Sequence, residues 1–295
     1  DNKYDTSDVA WMQVNDENSL LEVTLGPYET YDDVMFGYKA AFEMFVGIRN
    51  VAESTKLQQI VKLLPSLSTS LPIDAAYVHL LSPGDSTTAH VVRVVDQVMN
   101  GGDARKGVQT AAYNLPNDAH VVEKHGSKRV LLRNIQEAKF SKTLVPLKSE
   151  VLGALQRPYV TFDGFFLHIM AHELMHGMGP KFIYSENSTD TPVSVRAALQ
   201  EHYSVIEETK ADIGGLWLLC QILNNDLMQL NITMSKEATE LQAKLGISHN
   251  DMVKRSILVT YMTSVFRSIK FDSAHSVANI IIFNYLNRRN AITVE

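Results

Sequence analysis

The stretch AHELMHGMGP, residues 171–180, sets two histidines four apart with a glutamate directly after the first. That spacing serves chemistry only on a helix, where residues four apart stand on one face, one turn from each other. It therefore constrains the fold more than any other feature. Residues 162–178 are predicted to be helical, and another part of the chain has to supply whatever faces His172 and His176. On one face these two side chains can direct two imidazole nitrogens at a single Zn2+. Glu173 lies about 100° round the helix by the 3.6-residue repeat, placed to reach a water beside the metal rather than the metal itself. HExxH is a short pattern found in unrelated chains, so alone it also fits two histidines satisfied within a core.

A catalytic zinc site needs a third protein ligand and keeps one position open. The stretch EHYSVIEETKADIGGLW supplies a candidate, with Glu207 standing 31 residues beyond His176. Glu208 and Asp212 are again four apart on a predicted helix. Glu208 can be the third ligand, while Glu207 and Asp212 can accept hydrogen bonds from the ligand histidines and fix their tautomers. A solvated acidic helix face is the plainer reading of these carboxylates. Against it, the same helix soon becomes IGGLWLLC, so they lie beside a buried surface. The two motifs together favour a zinc hydrolase.

The rest of the chain bounds what surrounds this pair. The 295 residues are 45% hydrophobic and 20% charged, which allows one large domain or two lobes of ordinary globular composition. A net charge of -6 gives no basic field for nucleic acid or an anionic membrane, and the apolar runs are too short to span a bilayer. The basic cluster over 124–133 is read as solvated surface. The single cysteine, Cys220, excludes an internal disulfide and fits a reducing, cytoplasmic setting; it is read as a small core residue.

Three segments organise the chain: 1–65, a strand, a turn and a helix; 66–148, a β-containing lobe; and 149–295, a helical lobe. NSLLEVTLGPY alternates into a Gly-Pro break and reads as a strand entering a turn, and DDVMFGYKAAFEMFVGIRN then reads as a helix. Residues 66–88 are a candidate linker or long surface loop, and HVVRVVDQV and KRVLLRNI read as strands. Helices are predicted at 162–178, 193–223, 235–245, 250–269 and 273–289. Gly246 sits where a helix end wants a left-handed residue, and Ser248 with Asp251 forms a capping box for the next helix. The expected fold is α+β and predominantly α. A helical zinc-binding lobe packs on a smaller β-containing lobe with a cleft between them.

At this level of detail the sequence resembles the dipeptidyl peptidase III family of zinc metallopeptidases. HELMH with the downstream EETKAD is similar to that family's two motifs. GPYETYDDVMFGYKAAFEMFVGI is similar to its substrate-binding segment, AAYNLPNDAHV to its peptide-docking strand, and DSAHSVANIIIFNYL to its late histidine-bearing helix. The resemblance runs from about Leu21 to Ile292. It is greatest to the shorter subgroup found C-terminal to Nudix domains in some plant proteins, which has HExxH where typical members have HExxxH. It implies release of dipeptides from the N-termini of short peptides, with zinc on His172, His176 and Glu208 and Glu173 as general base. It further implies that Glu29, with Asn114 and Asn117, binds the peptide N-terminus, and that Tyr31 and His275 donate to the developing oxyanion.

Two departures stand out. Asn279 occupies the position of a family arginine expected to anchor a carboxylate. The family also carries more chain before Asp1 and after Glu295, so a further domain preceding Asp1 is an expectation. The alternative function is a catalytically inactive interaction or regulatory module on the same scaffold.

Overall fold

The computed structural model describes residues 2–14, 19–31, 39–74, 77, 91–105, 110–116, 121, 125–180, 182–183, 193–268 and 273–292. The chain divides into two units, one of residues 1–66 with 82–138 and one of residues 67–81 with 139–295.

The first unit is built on a five-stranded sheet. Helix α1 (Asn2–Gln13) precedes β1 (Leu21–Tyr31) and β2 (Lys39–Arg49); helix α2 (Val51–Ser68) follows; then come β3 (Val91–Gly102), β4 (Ala112–Leu115) and β5 (Lys128–Leu132). The order is β1-β2-β3-β5-β4, antiparallel throughout except for the parallel β3/β5 pair. Residues 39–49 are thus a strand where the sequence reading expects a helix. Their apolar side chains run almost continuously, which hides the period. In the sheet they alternate, with Glu43, Phe45, Gly47 and Arg49 buried and Met44, Val46 and Ile48 less so. The helix begins one residue later, where the Asn50 side chain accepts from the Glu53 N–H at 3.1 Å. Nor does the Gly-Pro pair end β1. The strand absorbs it as a register shift between Gly26 and Glu29. The linker expected over 66–88 begins inside α2, and most of it lies outside the described residues.

Within the basic cluster of 124–133, Lys128 and Arg129 are buried rather than solvated. All five residues of β5 are buried, Lys128 and Arg129 among them, because the strand is flanked by β3 and β4. The Lys128 ammonium donates to the carbonyls of Trp11, at 2.7 Å, and Val14, capping the end of α1. Burial pushes its pKa down to about 8. Arg93 pairs with Glu22, both inside the sheet's buried layer. Phe45, Val95, Ala104, Val130 and Leu132 form the apolar core beside them, with Tyr113 stacked on Phe45 at 4.8 Å between centroids.

The second unit is helical. Helix α3 (Arg133–Lys139), in the first unit but for its last residue, leads through a π-helical turn at Phe140–Leu144 into α4 (Val145–Val151). Then follow α5 (Phe162–His176), a two-stranded ribbon of β6 (Phe182–Ile183) and β7 (Val193–Ser194), α6 (Val195–Leu199), α7 (Tyr203–Asn224), α8 (Lys236–Leu245), α9 (His249–Val265) and α10 (Ala274–Arg288). Helix α5 is apolar nearly all round and sits at the centre, with Phe165, Phe166, Met170, Ala171, Leu174 and Met175 all buried. Each large apolar side chain so buried contributes about 1.5–3 kcal/mol. Thr161 caps α5 by accepting from the Gly164 N–H at 3.0 Å, and its hydroxyl meets that of Ser256 on α9 at 2.8 Å.

The Gly246 and Ser248 expectations hold in detail. Gly246 has φ +62°, and the Ser248 side chain accepts from the Asp251 N–H at 3.1 Å while donating to its carboxylate at 2.7 Å. The α+β, predominantly helical fold is the one expected. No helix among the described residues is long and apolar enough to cross a membrane.

Candidate metal centre

The site begins with two glycines. A Cβ on Gly215 would stand 2.9 Å from the His172 backbone nitrogen and 3.3 Å from its Cα, and one on Gly214 would stand 2.4 Å from the Met175 Cε. The GG pair of IGGLW therefore lets α7 approach α5 to backbone contact at the level of the histidines. Side chains one and two turns earlier on α7 then meet the histidine face of α5.

Four contacts define the result. Asp212 Oδ1 accepts from His172 Nδ1 at 2.8 Å, and Glu207 Oε1 accepts from His176 Nδ1 at 3.0 Å. With the δ nitrogens donating to carboxylates, neutral rings carry their free lone pairs on Nε2. Those two Nε2 atoms face each other at 3.1 Å, and Glu208 Oε2 lies 3.4 Å from His172 Nε2. Two lone pairs and a carboxylate oxygen this close repel one another unless something positive lies among them. The spacing matches the edge of a tetrahedron drawn about an ion with ligand bonds of about 2.0–2.1 Å, the range for zinc with nitrogen and oxygen donors. The donor set fits a divalent metal.

The charge balance agrees. Burial acts to lower the His172 pKa, but its hydrogen bonds to Asp212 and Glu208 prevail and push it up to about 10. Burial acts to raise the carboxylates, but Glu208 is held well below the usual carboxylate range by His172 and His275. Asp212 is lowered by His172, and Glu207 by His176 and Lys210. In a metal-free site a proton on His172 meets the demand for positive charge that a metal would otherwise meet.

His275, in the first turn of α10, bonds through Nδ1 to Glu208 Oε2 at 3.0 Å. Ligand atoms of His172, Glu208 and His275 all lie within 4.8 Å of one another, so His275 competes with His176 for a place in the ligand set. His275 Nδ1 donates to Glu208, while His176 Nε2 stands 3.1 Å from His172 Nε2. Glu173, beside His172 on α5, is half-buried, and its charge adds to what holds His172 protonated.

The sequence reading overlooked Lys210 and His168. Lys210 reaches Glu207 at 2.7 Å and the Met178 carbonyl at 3.1 Å, fastening the end of α5 to α7. His168 lies one turn before His172, a spacing visible in the sequence, and is fully buried.

The residues expected to bind peptide belong to the first unit. The backbones of Glu29 and Tyr31 lie in β1, paired with Ala41 and Lys39, and their side chains lie outside what the structure describes. Asn114 is on β4, opposite Arg129, half-buried and with its Oδ1 shielded from solvent and unbonded among the described residues. Asn117 lies outside the described residues. Asn279 is buried in α10.

The sequence profile of Peptidase family M49 matches residues 2–295. The chain belongs to peptidase family M49. It is 39% identical over 292 residues to Nudix hydrolase 3 of Arabidopsis thaliana, covering 98% of this chain and 34% of that protein. Against dipeptidyl peptidase 3 of Mus musculus it is 29% identical over 306 residues, covering 94% of this chain and 38% of that one. In structure it is similar to DPP III from Caldithrix abyssi, with TM-score 0.83, 38% identity, and coverage of 100% of this chain and 51% of that one. Dipeptidyl-peptidase III from Corallococcus sp. strain EGB gives TM-score 0.78, 39% identity, and coverage of 100% and 49%. The M49 chain thus spans between a third and a half of the relatives it matches.

Proposed function

We propose that this chain carries the catalytic centre of a zinc-dependent exopeptidase that releases dipeptides from the N-termini of short peptides. One observation carries the reading: the His172 and His176 Nε2 lone pairs converge at 3.1 Å beside Glu208, with both Nδ1 atoms fixed by carboxylates. The M49 membership supports a peptidase scaffold.

In this reading His172, His176 and Glu208 hold the metal. Zinc, when bound, supplies Lewis acidity toward water and the scissile carbonyl. The protein supplies the rest. Glu173 takes the proton of the attacking water and delivers it to the leaving amine. His275, whose side chain is 39% exposed and whose Nδ1 is committed to Glu208, presents its other edge toward the carbonyl, where it and Tyr31 donate to the developing oxyanion. Glu29 pairs with the free peptide ammonium, and Asn114 and Asn117 supply amides that hold the first residues in register. Such contacts make the enzyme count from the peptide's end.

The test is metal content by mass spectrometry beside a peptide assay. About one zinc per chain is expected, lost in Glu208→Ala, with dipeptide release from free peptides and none from their N-acetylated forms. Equal cleavage of acetylated peptides overturns the exopeptidase reading. Zinc without turnover on any peptide leaves the inactive-module alternative.

A further inference from the structure

Asp212 is the hinge of the metal centre, yet only half of its carboxylate is accounted for. Oδ1 bonds to His172, while Oδ2 is buried and makes no hydrogen bond of full geometry among the described residues. A second buried and unbonded polar atom is the Tyr261 hydroxyl, on α9, whose residue is 2% exposed. The two groups feel each other. Burial first, and then the nearby Asp212 charge, push the Tyr261 pKa well above its ordinary value.

His168 closes the arrangement. Its ring packs on that of Tyr261 at 4.4 Å between centroids, and its Nε2 donates to the Asp212 main-chain carbonyl at 3.2 Å. Burial holds its pKa down to about 4, so the ring is neutral with the proton on the donating nitrogen. A neutral, buried histidine with a defined tautomer is suited to positioning rather than proton transfer.

We propose that His168 and Tyr261 are positioning residues that clamp Asp212, its carbonyl from α5 and its carboxylate from α9, and thereby fix the ring of His172 toward the metal. Three helices then set one imidazole. An aspartate with one oxygen tied can swing about its Cβ–Cγ bond, and a hydroxyl on a rigid ring holding the second oxygen would stop it. The ligand ring inherits that rigidity, and outer partners of this kind are typically worth about 10–100-fold in metal affinity. The proposal rests on the zinc reading for its effect on affinity, but the clamp involves the chain's own residues alone.

The experiment compares zinc affinity, by competition with a chelator, in the parent and Tyr261→Phe, each alone and in an Asp212→Asn background. A loss of about 10–100-fold in Tyr261→Phe is expected, disappearing once Asp212→Asn has removed the carboxylate. Parent affinity in Tyr261→Phe, or the same loss in both backgrounds, overturns the clamp. His168→Phe keeps a ring against Tyr261 and removes the donor, and a loss in the same direction is expected; parent affinity there removes His168 from the clamp.

Nuclear magnetic resonance of the His172 Nδ1–H in the metal-free protein separates this from the zinc reading. If the parent binds no zinc but that signal shifts or exchanges faster in Tyr261→Phe, the clamp stands and the zinc reading falls. If it is unchanged, the clamp falls as well.

Discussion

Both units bury charge, and they do so in opposite ways. In the sheet unit Arg93 meets Glu22 and Lys128 meets the carbonyls at the end of α1, so these two buried charges find their complements within the fold. In the helical unit three carboxylates and two histidine rings converge with Lys210 and His275 beside them, and hydrogen bonds to Asp212 and Glu208 push His172 up to about 10. A polar cluster that closes on itself supports the fold. One left with an excess of acceptors needs a cation from outside, and this is how a binding site differs from buried scaffolding when both are equally polar.

The sharpest contrast lies in what a single carboxylate does. Glu173→Gln is expected to keep the metal and lower peptide turnover about 10²–10⁴-fold, the range for loss of a general base. Parent rate in that variant, with zinc content verified, breaks the proposed mechanism.

In the sheet unit the corresponding loss is in stability. Arg93→Met leaves Glu22 buried without its arginine partner, and is expected to destabilise by about 3–5 kcal/mol. Adding Glu22→Leu should recover most of that in urea unfolding. If the double variant stays as unstable as the single one, the pair is not the self-contained scaffold described above.

Gly215→Ala tests how closely the helices must approach. Its methyl meets the His172 backbone at 2.9 Å, so α7 has to move off α5. A loss of about 1–3 kcal/mol is expected from overpacking. Zinc affinity should fall with it, since Glu208 and Asp212 ride on the displaced helix. Unchanged affinity would mean that the site adjusts independently of helix spacing.

The smallest effect is one of pH, and its sign follows from two histidines shifted oppositely from 6.5. His172 is raised to about 10, so its contribution to metal-free stability is complete below 6.5 and is lost as pH rises toward 10. His168 is lowered to about 4, so its contribution is complete above 6.5 and is lost as pH falls toward 4. Metal-free stability should therefore peak near 6.5. Zinc has to displace the His172 proton, so its apparent affinity should rise up to about tenfold per pH unit from 7 upward. Calorimetric titrations at several pH values check both. A pH-independent zinc affinity would show that His172 does not carry that proton.

Much of the centre was legible in sequence because it is local. His172 and His176 share a face by helical period alone, as do Glu208 and Asp212. The cap at Ser248 and the left-handed Gly246 likewise depend on a few adjacent residues, and the structure keeps them. Period failed at 39–49, where an almost continuous apolar run takes its conformation from strands on either side. Charge failed at 128–129, because a lysine in a flanked strand is buried whatever its local composition suggests.

By itself the sequence determined the chemistry on offer: two imidazoles on one helical face, three carboxylates on another, and a glycine pair beside them. The tertiary structure decided their use. It set the 3.1 Å between two Nε2 atoms, sent Asp212 to His172 and Glu207 to His176, and packed the Tyr261 ring on His168 from a helix far along the chain. The physical reason is range. Helical faces and caps are fixed within a few residues, whereas which lone pairs converge depends on how closely two helices pack, and here that distance is governed by the missing side chain of Gly215.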